Sequence, residues 1–280
     1  MCYNATVMFQ IIKKRKLLIL STVFFAVVSV WWFTIYFRGL TEGHENELFT
    51  IVYPFISLFG GVVGLFMAKR WGGYKSILGR AIGAFSLGLL GQAFGQASYN
   101  FYIVVLGVEV PYPSIGDFGF FSTGIFYAYG LIQLMKAVGA KFSLKSYGGK
   151  AIAIVIPVLW AFFSYWFFLR GYVFDWSNPV VVVLDLISPI IDGAYLSLAI
   201  LAFILSKRWL GGLMKWPMLL LLAAIVSEAI TDFTFIYQVS REQWYIGGIN
   251  DYMYLITYTL MTLALIQLGY AFSKLTDKNS

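Results

Sequence analysis

The chain alternates apolar stretches long enough to cross a bilayer with short charged connections, and the sign of those connections alternates too. Basic residues gather at Lys13, Lys14, Arg15 and Lys16; at Lys69, Arg70, Lys75 and Arg80; at Lys136, Lys141, Lys145 and Lys150; at Lys207, Arg208 and Lys215; and at Lys274 and Lys278. The intervening connections hold only Arg38, Arg170 and Arg241, together with Glu42, Glu45, Glu47, Glu109, Asp175 and Glu242. Lysine and arginine accumulate on the cytoplasmic side of membrane proteins. The pattern therefore predicts an all-α polytopic protein of eight transmembrane helices with both termini cytoplasmic. The expected spans are 16–38, 48–69, 77–106, 115–139, 149–170, 179–206, 214–238 and 246–273. Aromatic residues such as Trp31, Trp71, Trp166, Trp176, Trp209 and Trp244 crowd their ends, where indole rings anchor at headgroups.

Composition agrees. Sixty per cent of residues are apolar and 12% charged, a balance that suits a bilayer-embedded chain. Eight spans of about 20 residues take up most of the length, leaving no loop long enough for a soluble domain. The net charge of +7 is the sum of the basic loops and gives no reason to expect nucleic acid as a partner. Cys2 is the one cysteine and His44 the one histidine, so neither an internal disulfide nor paired imidazole ligation of haem within the bundle is open. The basic start followed by an apolar run imitates a secretion signal. The run continues through Trp31, Trp32 and Tyr36 with no cleavage site, as an uncleaved first span would.

The two halves read as copies. Asp117 precedes Ile132-Gln133-Leu134 as Asp251 precedes Ile266-Gln267-Leu268. Gln96-Ala97-x-x-Asn100-Phe101 matches Glu228-Ala229-x-x-Asp232-Phe233, and Lys69-Arg70-Trp71 matches Lys207-Arg208-Trp209. Trp32-Phe33 ahead of Arg38-Gly39 parallels Trp166-Phe167 ahead of Arg170-Gly171. Four blocks in one order point to a tandem 4+4 parallel repeat. Its parts are an N-terminal tail (1–15), repeats over 16–140 and 149–273, and a C-terminal tail (274–280). An even number of spans inserts both copies the same way up, about an axis along the membrane normal.

An acid inside a span is disfavoured by about 2.5–3.5 kcal/mol. At about 1.5 Å per residue from the basic anchors, Asp192, Glu228, Asp232, Gln96 and Asn100 fall in the middle and outer parts of the bundle. The inner half has no counterpart, so an outward-facing polar cavity is expected. Glu228 and Asp232 are i,i+4 neighbours, as are Gln96 and Asn100. Asp185, Ser188 and Asp192 form one stripe at i, i+3, i+7, with Pro189 inside it. The proline ring removes the bond to the carbonyl of residue 185, which could then serve a cation beside two carboxylates. Glu228 and Asp232 together call for a shared proton or an intervening cation; Arg38, Arg170 and Arg241 are the nearest bases. Interhelical hydrogen bonding is the rival role, above all for the amides Gln96 and Asn100.

Asp117 and Asp251 also have a local explanation. Pro113-Ser114-x-x-Asp117 opens a span as a capping box with Ser114 at the N-cap, and Gly248-x-x-Asp251 opens the last span in the same way. Ligand contact is their second possible role. Ser177-Asn178-Pro179 reads as another helix start. Gly79/Gly83 and Gly91/Gly95 fit small-xxx-small packing of a central helix. His44 among Glu42, Glu45 and Glu47 reads as a solvated acidic loop, and no metal is assigned to it.

The stretch Pro111-Tyr112-Pro113-Ser114-x-x-Asp117, followed by aromatics and Tyr127, resembles multispanning sensor regions found ahead of diguanylate-cyclase and histidine-kinase domains. In that group the Pro-Ser-x-x-Asp element opens a span. A preceding span often carries Asp or Asn near its outer end, as Asn100 and Asp232 do here. The present sequence ends soon after its last expected span, without an output domain, so the resemblance implies a free-standing sensor or partner subunit. The basic loops 136–150 and 207–215 would be where a cytoplasmic or membrane partner docks. Ile115-Gly116-Asp117-Phe118 is similar to the Gly-x-Gly-Asp element of intramembrane aspartyl proteases, but Ser114 stands in place of the first glycine.

The sequence thus reads as a multi-pass protein of the cell membrane, not an enzyme, requiring no cofactor. It is expected to be a sensor whose pocket binds a cation or cationic small ligand through Asp185, Asp192, Glu228 and Asp232, with Gln96, Asn100, Asp117 and Asp251 nearby. A secondary transporter or proton-coupled carrier using the same acids is the rival, and a structural subunit of a membrane complex the third reading.

Overall fold

A computed structural model describes residues 2–137, 147–170, 175–205 and 214–277. These form nine α-helices and no strand among the described residues. They are α1 (Cys2–Phe37), α2 (His44–Val52), α3 (Phe55–Arg70), α4 (Ile77–Asn100), α5 (Ile115–Ala137), α6 (Tyr147–Ser164), α7 (Pro179–Leu205), α8 (Lys215–Ser240) and α9 (Ile249–Asp277). Single π-helical turns extend α4 over Phe101–Leu106 and α6 over Tyr165–Leu169.

Among the described residues seven segments are long and apolar enough to cross a membrane: α1, α2 with α3, α4, α5, α7, α8 and α9. The second of them is broken because Pro54 has no N–H to continue the ladder, and α3 restarts with Ser57 donating to the Pro54 carbonyl. α6 with its π turn occupies the place of the expected fifth span. α1 starts at Cys2, so much of the expected N-terminal tail continues the helix. His44, expected in a loop, instead begins α2, with Glu45 and Glu47 in its first turn, where carboxylates suit the helix dipole. Residues 138–146 of the basic loop 136–150, residues 207–213 of the loop 207–215 with its Lys207-Arg208-Trp209 block, and residues 278–280 of the C-terminal tail lie outside the described residues.

Helix ends follow local chemistry. Ser76 caps α4 by accepting from Gly79 N at 2.8 Å. α7 begins at Pro179, as Ser177-Asn178-Pro179 suggests. Just upstream, Asp175 Oδ1 accepts from Ser177 N, and hydrogen bonding from the Ser177 side chain and then its backbone holds the carboxyl below the usual range.

Six helices close a ring: α3 packs on α4, α4 on α5, α5 on α7, α7 on α8, α8 on α9, and α9 back on α3. α1 lies outside this ring against α9, and α6 outside it against α7, where Trp160 Nε1 donates to the Pro189 carbonyl at 2.8 Å. α7 runs on through Pro189. Outward-facing side chains such as Val23, Val27, Ile125, Val180 and Ile190 are apolar and exposed, as contact with lipid tails requires.

Within the ring α4 and α5 approach each other closely. A Cβ on Gly119 would sit 2.6 Å from Gly91 O and 2.9 Å from Gly95 N, so these glycines let the two backbones touch. Thr123 Oγ1 adds a bond to Gly88 O at 3.0 Å. The expected pair Gly91/Gly95 therefore packs helix on helix. Gly79/Gly83 does not: Gly79 abuts Gly73 in the preceding turn, and Gly83 has an ordinary 3.7 Å neighbour in Ala68.

Candidate functional site

A cavity of 1130 Å³ opens inside the ring, between α4, α5, α7, α8 and α9. Its walls continue into the connections Gly107–Tyr112 and Glu242–Ile246, at the end of the bundle opposite Lys69, Arg70, Arg80, Lys136 and Lys215. Seven of the expected site residues line it: Gln96, Asp117, Asp185, Asp192, Glu228, Asp232 and Asp251. With Glu109 and Glu242, eight of the chain's 13 acids face this one space, and no Lys, Arg or His lines it among the described residues.

Asn100 does not belong to this group. It joins α4 to α2 instead, with Nδ2 donating to Thr50 O at 2.7 Å and Oδ1 accepting from Thr50 Oγ1 at 3.1 Å. The helix-bonding role weighed for it is the one its geometry displays. The broken helix between α2 and α3 brings Thr50 to that height.

Glu228 and Asp192, both buried, and Asp232, half-buried, form the floor. Glu228 Oε1 accepts from Gln92 Nε2, and Gln92 Oε1 accepts from Tyr258 Oη at 2.8 Å. Asp232 takes two phenols, Tyr195 Oη on Oδ2 and Tyr254 Oη on Oδ1, both at 2.8 Å. These hydroxyls donate from α7 and α9, so Asp232 on α8 ties three helices together. A hydroxyl donor satisfies a carboxylate without bringing a positive charge, and the floor therefore stays acidic. Among the described residues Glu228 Oε2 has no hydrogen-bond partner, nor does Asn250 Oδ1 on the same cavity's wall.

Arg38, Arg170 and Arg241 do not supply the expected counter-charge. Arg38 pairs with Glu45 at 2.5 Å. Arg170 lies 4.5 Å over the Trp166 ring and Arg241 5.3 Å over Tyr237, and none of the three lines the cavity. Among the described residues no three carboxylate, imidazole or thiol side chains converge closely enough to hold a metal ion. The stripe itself forms, for Asp185, Ser188, Pro189 and Asp192 all face the cavity.

Nearer the mouth, Asp185 accepts from Tyr112 Oη at 2.7 Å. Burial, that bond and the nearby negative charge push the Tyr112 hydroxyl well above the usual phenol range, so it remains a donor. Asp117 completes its capping box, with Oδ2 accepting from Ser114 N at 2.5 Å and Ser114 Oγ at 2.9 Å, while Oδ1 accepts from Tyr99 Oη at 2.6 Å. Asp251 plays the corresponding part at the start of α9, one residue out of the expected register. Its Oδ2 accepts from Gly247 N at 2.7 Å and not from Gly248, and Oδ1 accepts from Tyr53 Oη at 3.4 Å. Gly247 has φ +71°, and a Cβ there would lie 3.0 Å from the Asn46 backbone, so glycine is required.

Replacing Asp117 by alanine removes the acceptor half of the capping box, whose bonds from Ser114 contribute about 1 kcal/mol, and orphans the Tyr99 hydroxyl, a further loss of about 1–3 kcal/mol. Thermal melting in detergent should fall accordingly, and fall less for Ser114→Ala, which spares the tyrosine. Equal melting of the two variants would show the tyrosine bond to be worthless.

The tyrosines and Gln92 are the residues that sequence reasoning missed. A signal existed, since Tyr195 stands three residues after Asp192, Tyr99 three after Gln96, and Gln92 four before it. Aromatic residues are so frequent here that the spacing alone does not single them out. Comparison with known proteins found no matching family, no matching curated protein and no matching solved structure.

Proposed function

We propose that this chain is a multi-pass membrane sensor of the receptor type, whose acidic cavity faces outward and binds a small cationic ligand. The observation that carries this reading is the gathering of eight acids around a single space, with no base in its lining among the described residues. A carboxylate in such surroundings takes up a proton or gains a positive partner, and a small cation held in the cavity would be that partner. In this reading α6 is the fifth of eight spans, both termini are cytoplasmic, and ligand binding shifts one four-helix unit against the other to signal through a partner at the basic loops. The ring supports the tandem copies: α3 of the first leans on α9 of the second, as α7 of the second leans on α5 of the first. The Pro-Ser-x-x-Asp resemblance to sensor regions points the same way.

A transporter is the second reading, favoured by acids at mid-height between parallel repeats. Reconstitution separates the two. Proteoliposomes should show saturable cation or amine binding and no uptake. Uptake that disappears in Glu228→Gln would move the assignment to a carrier, and neither binding nor uptake would leave a structural subunit.

A further inference from the structure

The cavity floor carries an acceptor that no group among the described residues uses. Glu228 is 1% exposed, its Oε1 is taken by Gln92, and its Oε2 has no partner. Asn250, also 1% exposed, spends its Nδ2 on Thr231 O at 2.9 Å and leaves Oδ1 unpartnered on the same cavity. Buried polar atoms are nearly always satisfied, so this floor asks for N–H or O–H donors as well as for positive charge. Above it the walls are apolar and aromatic: Phe120, Phe121, Ile191, Phe235, Ile236 and Tyr254. A bare divalent ion finds no cage of three carboxylate, imidazole or thiol side chains among the described residues. A proton alone would leave those walls without an occupant.

We infer that the cavity takes an organic ammonium that still bears N–H, carried on an apolar body, with an N–H donating to Glu228 Oε2. The inference rests on the cation-binding function just proposed and narrows it to a ligand class. It opposes recognition by aromatic faces alone, which favours quaternary ammonium groups. A positioned N–H bond to a carboxylate disappears only when the last N–H is gone, whereas crowding grows with every methyl group.

Titration of the purified full chain in detergent separates these cases. The probes are 2-phenylethylamine, its N-methyl, N,N-dimethyl and N,N,N-trimethyl derivatives, neutral 2-phenylethanol, spermidine and calcium. Affinity should change by less than about tenfold across the first three amines and drop by at least about tenfold at the trimethyl compound. The alcohol and spermidine should bind more weakly than the primary amine. In Glu228→Gln the step between dimethyl and trimethyl should vanish, and the wild-type series stands by itself if that variant does not fold. A trimethyl compound that binds as well as the dimethyl one overturns the N–H requirement and leaves a cation site intact. Tighter binding of spermidine overturns the apolar body, and binding of calcium alone overturns the organic ligand. Binding of no cation at all would overturn the proposed function itself.

Discussion

Asp232→Ala should melt far below Asp232→Asn in the same detergent. Both substitutions remove one carboxylate from beside Glu228, and any repulsion relieved is common to them. For charges about 6 Å apart at an effective dielectric of 20, that relief is about 3 kcal/mol. The two variants differ in what they offer the phenols of Tyr195 and Tyr254, which both donate to Asp232 at 2.8 Å. Asparagine keeps an acceptor for one hydroxyl and an amide donor for the other. Alanine leaves two buried hydroxyls unpaired, at about 1–3 kcal/mol each, and unties α8 from α7 and α9. At roughly 2–4 °C per kcal/mol for a chain of this size, the gap should be on the order of 10 °C. Coincident melting of the two would mean that Asp232 holds no helices together and that the floor is not the joint between α7, α8 and α9.

Gly119→Val should be as damaging, by different physics. The new side chain would meet the main chain of α4, at Gly91 O and Gly95 N. No rotamer moves a backbone carbonyl, so the helices must separate along their closest contact. Overpacking in cores ordinarily costs about 1–3 kcal/mol, and an unyielding obstacle puts this case at or beyond the upper end. Separation would also displace Gln92 and Gln96 on α4 from Asp117 and Phe120 on α5, all of which line the cavity. Binding should therefore fall together with thermal stability. Gly83→Ala is the control, because its Cβ would meet only Ala68, at 3.7 Å. If Gly119→Val melts with wild type, the tight crossing of α4 and α5 is not what positions the cavity.

The two cases differ in how far they could be read from residue order. Gly91 and Gly95 announce a packing face through their spacing, yet nothing in their own helix reveals Gly119 as the opposing residue. Asp232 likewise announces itself as an acid in an apolar run, while its donors Tyr195 and Tyr254 belong to other helices. Asn100 shows the reverse error. Its i,i+4 relation to Gln96 places both on one helix face, but that face is wide enough for Gln96 to meet the cavity and Asn100 to meet Thr50.

Residue order by itself determined that the chain is helical, where its apolar helices run, and which acids share a stripe. These properties follow from bilayer thickness, helical periodicity and capping chemistry within a few residues of one another. Tertiary structure alone decided that six helices close a ring, that stripes from three of them face one cavity, and that phenols rather than arginines answer its carboxylates. Contacts between helices depend on which small residues let two backbones approach and at what height, and no periodicity within a single helix encodes its neighbour.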